Sequence, residues 1–349
     1  MKSHAIIAVL FTFVCVTFVF ASPKDGRLDI YWVDVEGGAA TFIVTPAGES
    51  ILIDTGLPGD RDPVRIHKLA TQIAGVKKID HLIITHFDGD HVGGAADVAK
   101  LMPVRNVYDH GVEATDRKKP PQAYLDMKCE KRVLVKPGDT IPLWNAGPVP
   151  GQSIEVSMTC LAAKQKFIKP TKDHKPNPDG TKALMQERKD LSANADSIVL
   201  LLRFGDFDFL DAADLTWNLE GQLVCPVNLV GPVDVFQVDH HGLDSSNNPV
   251  LINSVAPTVA VMNNGDRKGC GARTFFNLKN CKSIKAIYQL HKNLRRDGDK
   301  NNTADKFIAN ISKKNECKGH YVKLSVDRAG KTYTVSIPAR GHSATYKSK

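Results

Sequence analysis

The chain has 349 residues, 42% of them hydrophobic and 24% charged, and 46 Lys and Arg against 38 Asp and Glu leave a net charge of +8. That much core-forming material excludes an intrinsically disordered chain, and the length exceeds an average domain without requiring two. The positive excess favours anionic partners such as phosphoesters, nucleic acid or an anionic surface, although a basic balance is as common in proteins that bind nothing charged.

Residues 1–21 have the pattern of a signal peptide. Lys2 supplies a positive start, residues 5–20 are uncharged and apolar, and Val19-Phe20-Ala21 fits a small-residue cleavage site. The apolar run of 16 residues falls short of the roughly 20 that span a bilayer, and Pro23 and charged residues follow it. Cleavage would leave residues 22–349 as a secreted or periplasmic chain with charge +7 (45 basic minus 38 acidic); an uncleaved anchor is the lesser alternative. Six cysteines would remain, at 129, 160, 225, 270, 281 and 317, with no C-x-x-C pair to suggest a zinc ribbon or redox motif. An exported chain permits disulfides. Cys270 with Cys281 is the first pair to expect, because it closes a short loop; isolated buried thiols are the alternative.

In chain order, residues 28–35, 41–45 and 50–53 read as strands, with a turn at Thr45-Pro46-Ala47-Gly48. Residues 62–74 place Val64, Ile66, Leu69 and Ile73 at helical spacing after a cap-and-proline start at 60–63. Residues 79–85 form a buried strand that runs into the most informative segment of the chain. There His86, Asp88, Asp90 and His91, four potential metal ligands, fall within six residues, and Gly89, Gly93 and Gly94 let the backbone turn tightly. An exposed turn readily holds one Asp or one His, but four at this spacing point to a metal. Residues 94–101 continue as a helix, and 104–108 form a strand ending at Asp109-His110-Gly111.

Residues 164–195 are a polar surface insertion of loop and short-helix character. Its lysines at 164, 166, 169, 172 and 175 suit either a solvated loop or a basic lid over the site. Residues 197–204, 207–210 and 257–262 read as strands, and 263–269 as a turn. Residues 274–279 and 303–312 read as helices, and 320–326 with 332–337 as a hairpin. Arg267 and Lys268 in the turn suit a substrate anion or plain solvent.

The segment Thr85-His86-Phe87-Asp88-Gly89-Asp90-His91 resembles the H-x-H-x-D-H signature of the metallo-β-lactamase superfamily, with Asp88 in place of the second His. Ile51-Leu52-Ile53-Asp54-Thr55-Gly56 resembles its first motif. Residues 209–215 resemble the strand that delivers a bridging Asp, here Asp214, and residues 233–242 the strand that delivers the last His. The H-x-D-x-D-H variant with a late His-His-Gly is similar to the ComEC-like competence hydrolases and their secreted relatives.

The resemblance implies an α/β fold, the four-layer αββα sandwich, with a C-terminal hairpin appended and one hydrolase domain over residues 22–349. It also implies two divalent ions. His86 and Asp88 would hold the first, Asp90, His91 and His241 the second, and Asp214 would bridge them. His241 is preferred to His240 because a His followed by Gly at a strand end is the usual form, which leaves His240 and Asp90 as catalytic candidates. The third residue for the first ion is not evident; Asn194 and Asp196 are nearest the expected place. Asp54 and Asp239 suit orientation of ligand histidines, and His110, Arg267 and Lys268 suit substrate binding. Three carboxylates and a hydroxide balance two dications. Zinc is the default, and the Asp-rich set also tolerates manganese or iron.

The implied activity is hydrolysis by a metal-bound hydroxide. A phosphodiester, nucleic acid included, is the first candidate substrate, and a lactone, thioester or β-lactam the second. A non-catalytic exported metal-binding module is the alternative of another class. No segment after residue 21 resembles a membrane channel, so DNA import is not part of the expectation.

Overall fold

A computed structural model of the chain describes residues 25–144, 154–177, 190–313 and 316–349. The expected signal peptide and part of the polar insertion lie outside the described residues.

The first half supplies β1 (Leu28–Trp32), β2 (Thr41–Val44), β3 (Ser50–Ile53), β4 (Ile79–Ile83), β5 (Val104–Asp109) and β6 (Lys131–Leu134). Helices α1 (Arg61–Lys68, continued by a wider π-turn over Leu69–Ile73), α2 (Gly89–Val92), α3 (Ala95–Leu101) and α4 (Gln122–Asp126) lie between them. The second half supplies β7 (Val156–Ala163), β8 (Lys166–Phe167), β9 (Lys175–Pro176), β10 (Val199–Phe204), β11 (Phe207–Asp211), β12 (Val227–Asn228), β13 (Val235–Gln237), β14 (Val259–Met262), β15 (Ala286–His291) and β16 (Ile308–Asn310). With these come α5 (Trp217–Val224), α6 (Pro249–Val255) and α7 (Ala272–Asn280). Strands β17 (Val322–Val326), β18 (Thr332–Ile337) and β19 (His342–Lys347) close the chain.

Two large sheets result, ordered β19-β18-β17-β1-β2-β3-β4-β5-β6 and β16-β15-β14-β13-β11-β10-β7-β8. Strand alternation explains why they stack. In β1, Leu28, Ile30 and Trp32 enter the core between the sheets, while Tyr31, with Val33 and Val35 just beyond the strand, packs on the opposite face under α1 and α3. In β10, Leu200, Leu202 and Phe204 face the inter-sheet core, and Val199 and Leu201 face the side covered by α5, α6 and α7. Three apolar layers between four layers of structure make the αββα sandwich, and each fully buried large side chain contributes about 1.5–3 kcal/mol.

Four expectations are corrected or extended. Residues 303–312 are not a helix: a short 3-10 turn (Asp305–Phe307) leads into β16, where Ile308 and Asn310 pair in parallel with Gln289 and His291. A short apolar run fits either period, and here the open edge of β15 decides it. Cys270 and Cys281 do not form the expected disulfide. They sit at opposite ends of α7, whose nine residues rise about 13 Å, beyond the ~7 Å limit between Cα atoms of a disulfide. The insertion contributes the two-residue strands β8 and β9 and a 3-10 turn (Ala193–Asp196). The hairpin of β17 and β18 also extends to a third strand, β19, paired antiparallel with β18.

Candidate metal centre

The site-bearing residues follow the carboxyl ends of strands, where loops from both sheets meet. Asp54 follows β3, the segment from Thr85 to His91 follows β4 and enters α2, Asp214 follows β11, and His240 and His241 follow β13. Asp54, Ala213, His240 and His241 all have φ between 53° and 59°, a left-handed conformation that costs a non-glycine residue of order 1 kcal/mol or more. Glycine is required where the loops touch. A Cβ on Gly94 would stand 2.3 Å from the Thr55 carbonyl, and one on Gly242 2.6 Å from Met262 Sδ.

Asp214 Oδ2 is the centre of the cluster. It lies 3.2 Å from His91 Nε2, 3.3 Å from His241 Nε2, 3.5 Å from His240 Nε2 and 4.0 Å from His86 Nε2. Asp90 Oδ2 stands 3.1 Å from His241 Nε2 and 3.7 Å from His91 Nε2, and Asp88 Oδ2 stands 3.6 Å from His86 Nε2. Single ligand atoms of Asp90, His91, Asp214 and His241 all fall within 4.8 Å of one another.

One buried carboxylate orients two of these imidazoles. Asp54 Oδ2 accepts from His91 Nδ1 at 2.7 Å and from the Thr85 hydroxyl at 2.7 Å, and Asp54 Oδ1 accepts from Thr85 N at 2.9 Å. With its proton committed to Asp54, the Thr85 oxygen has lone pairs left for His86 Nδ1, 3.1 Å away. Both rings therefore carry their proton on Nδ1 and turn a lone pair on Nε2 into the cluster. His86 Nε2 is buried and has no hydrogen-bond partner among the described residues. A lone pair held in place without a donor, beside the carboxylates of Asp88 and Asp214, fits a cation.

The charges reinforce one another. Burial alone would push His91 down, but Asp214, Asp54 and Asp90 hold it well above its ordinary value, so the Nε2 lone pair that a cation would take otherwise takes a proton. Burial would raise Asp214 and Asp90, yet the surrounding histidines, with Lys268 beside Asp90, hold both well below the carboxylate range. Asp88 is held down to about 2, first by the His86 imidazole 3.6 Å away and then by Lys118. Two ammonium groups stand over the outer carboxylates: Lys118 Nζ lies 2.8 Å from Asp88 Oδ1, and Lys268 contacts Asp90 Oδ2.

The family model described as the metallo-beta-lactamase superfamily matches residues 33–157, the stretch that carries Asp54 and the ligand-rich loop. Over residues 33–157 the chain matches the metallo-β-lactamase superfamily. It is 36% identical over 83 residues to a UPF0173 metal-dependent hydrolase of Cupriavidus metallidurans, covering 24% of this chain and 26% of that protein. It is 25% identical over 255 residues to competence protein ComA of Neisseria gonorrhoeae, covering 70% of this chain and 28% of that one. The chain thus spans little more than a quarter of the length of these two curated relatives. A solved structure described as a metal-dependent hydrolase of the beta-lactamase superfamily aligns with 14% identity and a TM-score of 0.44, over 75% of this chain and 95% of that one.

The superfamily's loop and its late histidines thus come together, but other expected residues do not. Asp239 bonds no imidazole. Its carboxyl is buried, accepts from no amide, hydroxyl or imidazole of the described residues, and lies beside Glu220, and burial with the Glu220 charge pushes it well up. Asn194 Nδ2 comes within 3.2 Å of His240 Nε2, whereas Asp196 turns away to Gln165 at 3.1 Å. His110 is buried against the Phe87 ring, centroids 4.5 Å apart, with Nδ1 bonded to the Gly111 carbonyl. Lys268 reaches the cluster, while Arg267 lines a surface cavity with Leu294 and Ile311. Lys164 is tied to Asp116 at 2.8 Å and Glu113 at 3.2 Å, so it is not available as a lid charge.

Sequence reasoning missed Thr85, Lys118, Asp211 and Gln237. Thr85 had a signal, as the residue between a buried strand and the first ligand. Gln237 accepts from Trp32 Nε1 and Thr41 Oγ1, each at 2.8 Å, and donates to Asp211 Oδ1 at 2.9 Å, joining the two sheets beneath the site. No local pattern announces such a contact, nor that of Lys118.

Proposed function

We propose that the chain is an exported two-metal hydrolase of phosphodiester bonds, nucleic acid included, formed by residues 22–349 after loss of residues 1–21. The observation that supports this reading is the reach of Asp214 Oδ2 to both sets of candidate ligands: 4.0 Å from His86 Nε2, which Asp88 approaches, and 3.2 and 3.3 Å from His91 and His241 Nε2, which Asp90 approaches. When bound, two divalent ions, zinc by default, would lower the pKa of water toward neutrality and stabilise the anion that develops on the substrate.

The chain's own residues do the rest. Asp54 and Thr85 fix the tautomers of His91 and His86. His240 is held at Nδ1 by Ser245 Oγ at 3.1 Å and Ser246 Oγ at 3.3 Å, and burial pushes its pKa down. Neutral at pH 7, it presents Nε2 to take up a proton. Lys118 and Lys268 stand over Asp88 and Asp90. Once those carboxylates bind cations, the two ammoniums are free for the non-bridging oxygens of a phosphodiester, which a neutral lactone lacks. The positive charge and the competence-protein relative support nucleic acid in particular.

The test is a panel run on metal-loaded protein: a chromogenic phosphodiester, DNA, a lactone and a β-lactam. Phosphodiester turnover is expected, with DNA affinity falling on a log–log salt plot at about −0.7 to −0.9 per phosphate neutralised. Alanine at Lys118 or Lys268 should flatten that slope. Rapid lactone turnover with a flat salt response would overturn the phosphodiester reading.

A further inference from the structure

We infer that Asp34, His291 and Cys317 form a second, separate zinc site, one that ties the two sheets together. The three residues are distant in sequence and share nothing with the cluster around Asp214. Asp34 lies two residues past the end of β1, in the first sheet. His291 ends β15, in the second sheet, and Cys317 lies in the segment leading to β17. Asp34 and His291 are almost fully buried, and one ligand atom from each residue lies within 4.8 Å of the other two. His291 Nε2 is 2.6 Å from Asp34 Oδ1, and the Cys317 thiol is 3.0 Å from Asp34 Oδ2 and 3.5 Å from Asn310 Oδ1.

A carboxylate, an imidazole and a thiol are the three side-chain types that zinc takes, and thiolate with imidazole favours zinc over magnesium, calcium or manganese. Ligands about 2.0–2.3 Å from a tetrahedral ion stand roughly 3.3–3.7 Å apart. The observed separations open to these by less than about an ångström. Binding takes up one dication and releases the thiol proton to solvent, so the Asp34 carboxylate and Cys317 thiolate neutralise the ion between them.

The surroundings are built to hold these ligands. Arg65 donates to Asp34 Oδ2 at 3.0 Å, to Glu36 Oε1 at 3.1 Å and to the Cys317 carbonyl at 3.4 Å. One guanidinium thus fixes the carboxylate and the backbone of the thiol ligand together, while Glu36 balances its charge. Asn310 Oδ1, also bonded to His320 N at 2.9 Å, or a solvent molecule would complete the fourth position.

Cobalt(II) tests this directly, because the cluster around Asp214 contains no cysteine. Full-length protein stripped of metal and titrated with cobalt should develop thiolate-to-cobalt charge transfer in the near ultraviolet and take up one equivalent beyond the two of the other centre. Cys317→Ser should lose that absorption and that equivalent and keep the other two. Cobalt-saturated wild-type protein without the absorption overturns the site, and absorption that survives in Cys317→Ser assigns the metal to another cysteine and overturns it equally. Fewer than two equivalents in the cysteine variant would count against the dinuclear reading instead. The wild-type spectrum needs no variant to fold.

Discussion

Replacing Asp54 by Asn should disable the second metal position without touching a metal ligand. The left-handed φ of 59° at position 54 is one that Asn adopts readily, so the backbone is not strained. The amide must place its nitrogen on one of two sides. Toward Thr85 N, 2.9 Å from Oδ1, it would meet a backbone donor that cannot change. Toward His91 Nδ1 and the Thr85 hydroxyl, both 2.7 Å from Oδ2, it meets groups that can rearrange. His91 then shifts its proton to Nε2, which points it at Asp214 and Asp90 and removes the lone pair. The Thr85 hydroxyl rotates, and His86 loses its acceptor as well. Loss of such an orienting partner typically costs 10- to 100-fold in metal affinity, about 1.4–2.8 kcal/mol. The assay is competition against a chromogenic chelator, followed by turnover at saturating metal. Activity should return partly at high metal concentration. Unfolding of the stripped proteins separates this effect from general destabilisation, which would lower both forms alike. Metal affinity within twofold of wild type would refute the tautomer argument.

Asp214→Ala, and likewise Asp90→Ala, should cut hydrolysis by at least about 10²- to 10³-fold, the scale of losing one electrostatic stabiliser. Bound metal should fall too, as read by elemental analysis; full activity in either variant would sink the assignment. Asp88→His restores the commoner ligand set and frees Lys118 from its 2.8 Å ion pair, so the metal preference should move from manganese toward zinc in activation assays. Asp211 predicts a pH effect on the stripped protein. Burial, and then the nearby Asp54 and Asp214, push its carboxyl up to about 7 against the opposing bond from Ala213 N. It therefore stabilises the fold fully below about pH 4 and progressively loses that contribution as the pH rises to 7. Asp211→Asn keeps an oxygen for Gln237 and Ala213 and should be the more stable protein at pH 8, by up to a few kcal/mol, and no better at pH 4. Equal urea midpoints at pH 8 would contradict this.

Much of the site was legible because its ligands are concentrated. His86, Asp88, Asp90 and His91 lie on one turn after one strand, so spacing alone brings them together. Asp214 and the pair His240 and His241 each follow a β-rich run, and the resemblance placed them at the same sheet edge. What escaped depends on side chains meeting across sheets. Asp239 looked like an orienting group from its place beside His240, yet its side chain turns the other way, to Glu220. Lys118 follows no periodic pattern and approaches Asp88 only through the fold. Helix α6 carries a start signal that is readable in the sequence, Asn248 accepting from Val250 N with Pro249 in the first position. β16 failed for a different reason: Phe307, Ile308 and Ile311 fit a helical period, and only the exposed edge of β15 decides against it.

The pairing of β1 with β17, Leu28 opposite Val326 and Trp32 opposite Val322, sets the order in which the protein can assemble. The first strand made is an interior strand of its sheet, with β2 on one side, and its other neighbour is translated nearly 300 residues later. Until then β1 presents an open edge of unpaired amides and carbonyls, the template on which chains misassociate. Closing so long a loop costs little more entropy than closing a shorter one, but it delays completion of the core. A nascent chain stalled before residue 322 would therefore keep this edge exposed, and this sheet gains its full width only after β17, β18 and β19 have been made.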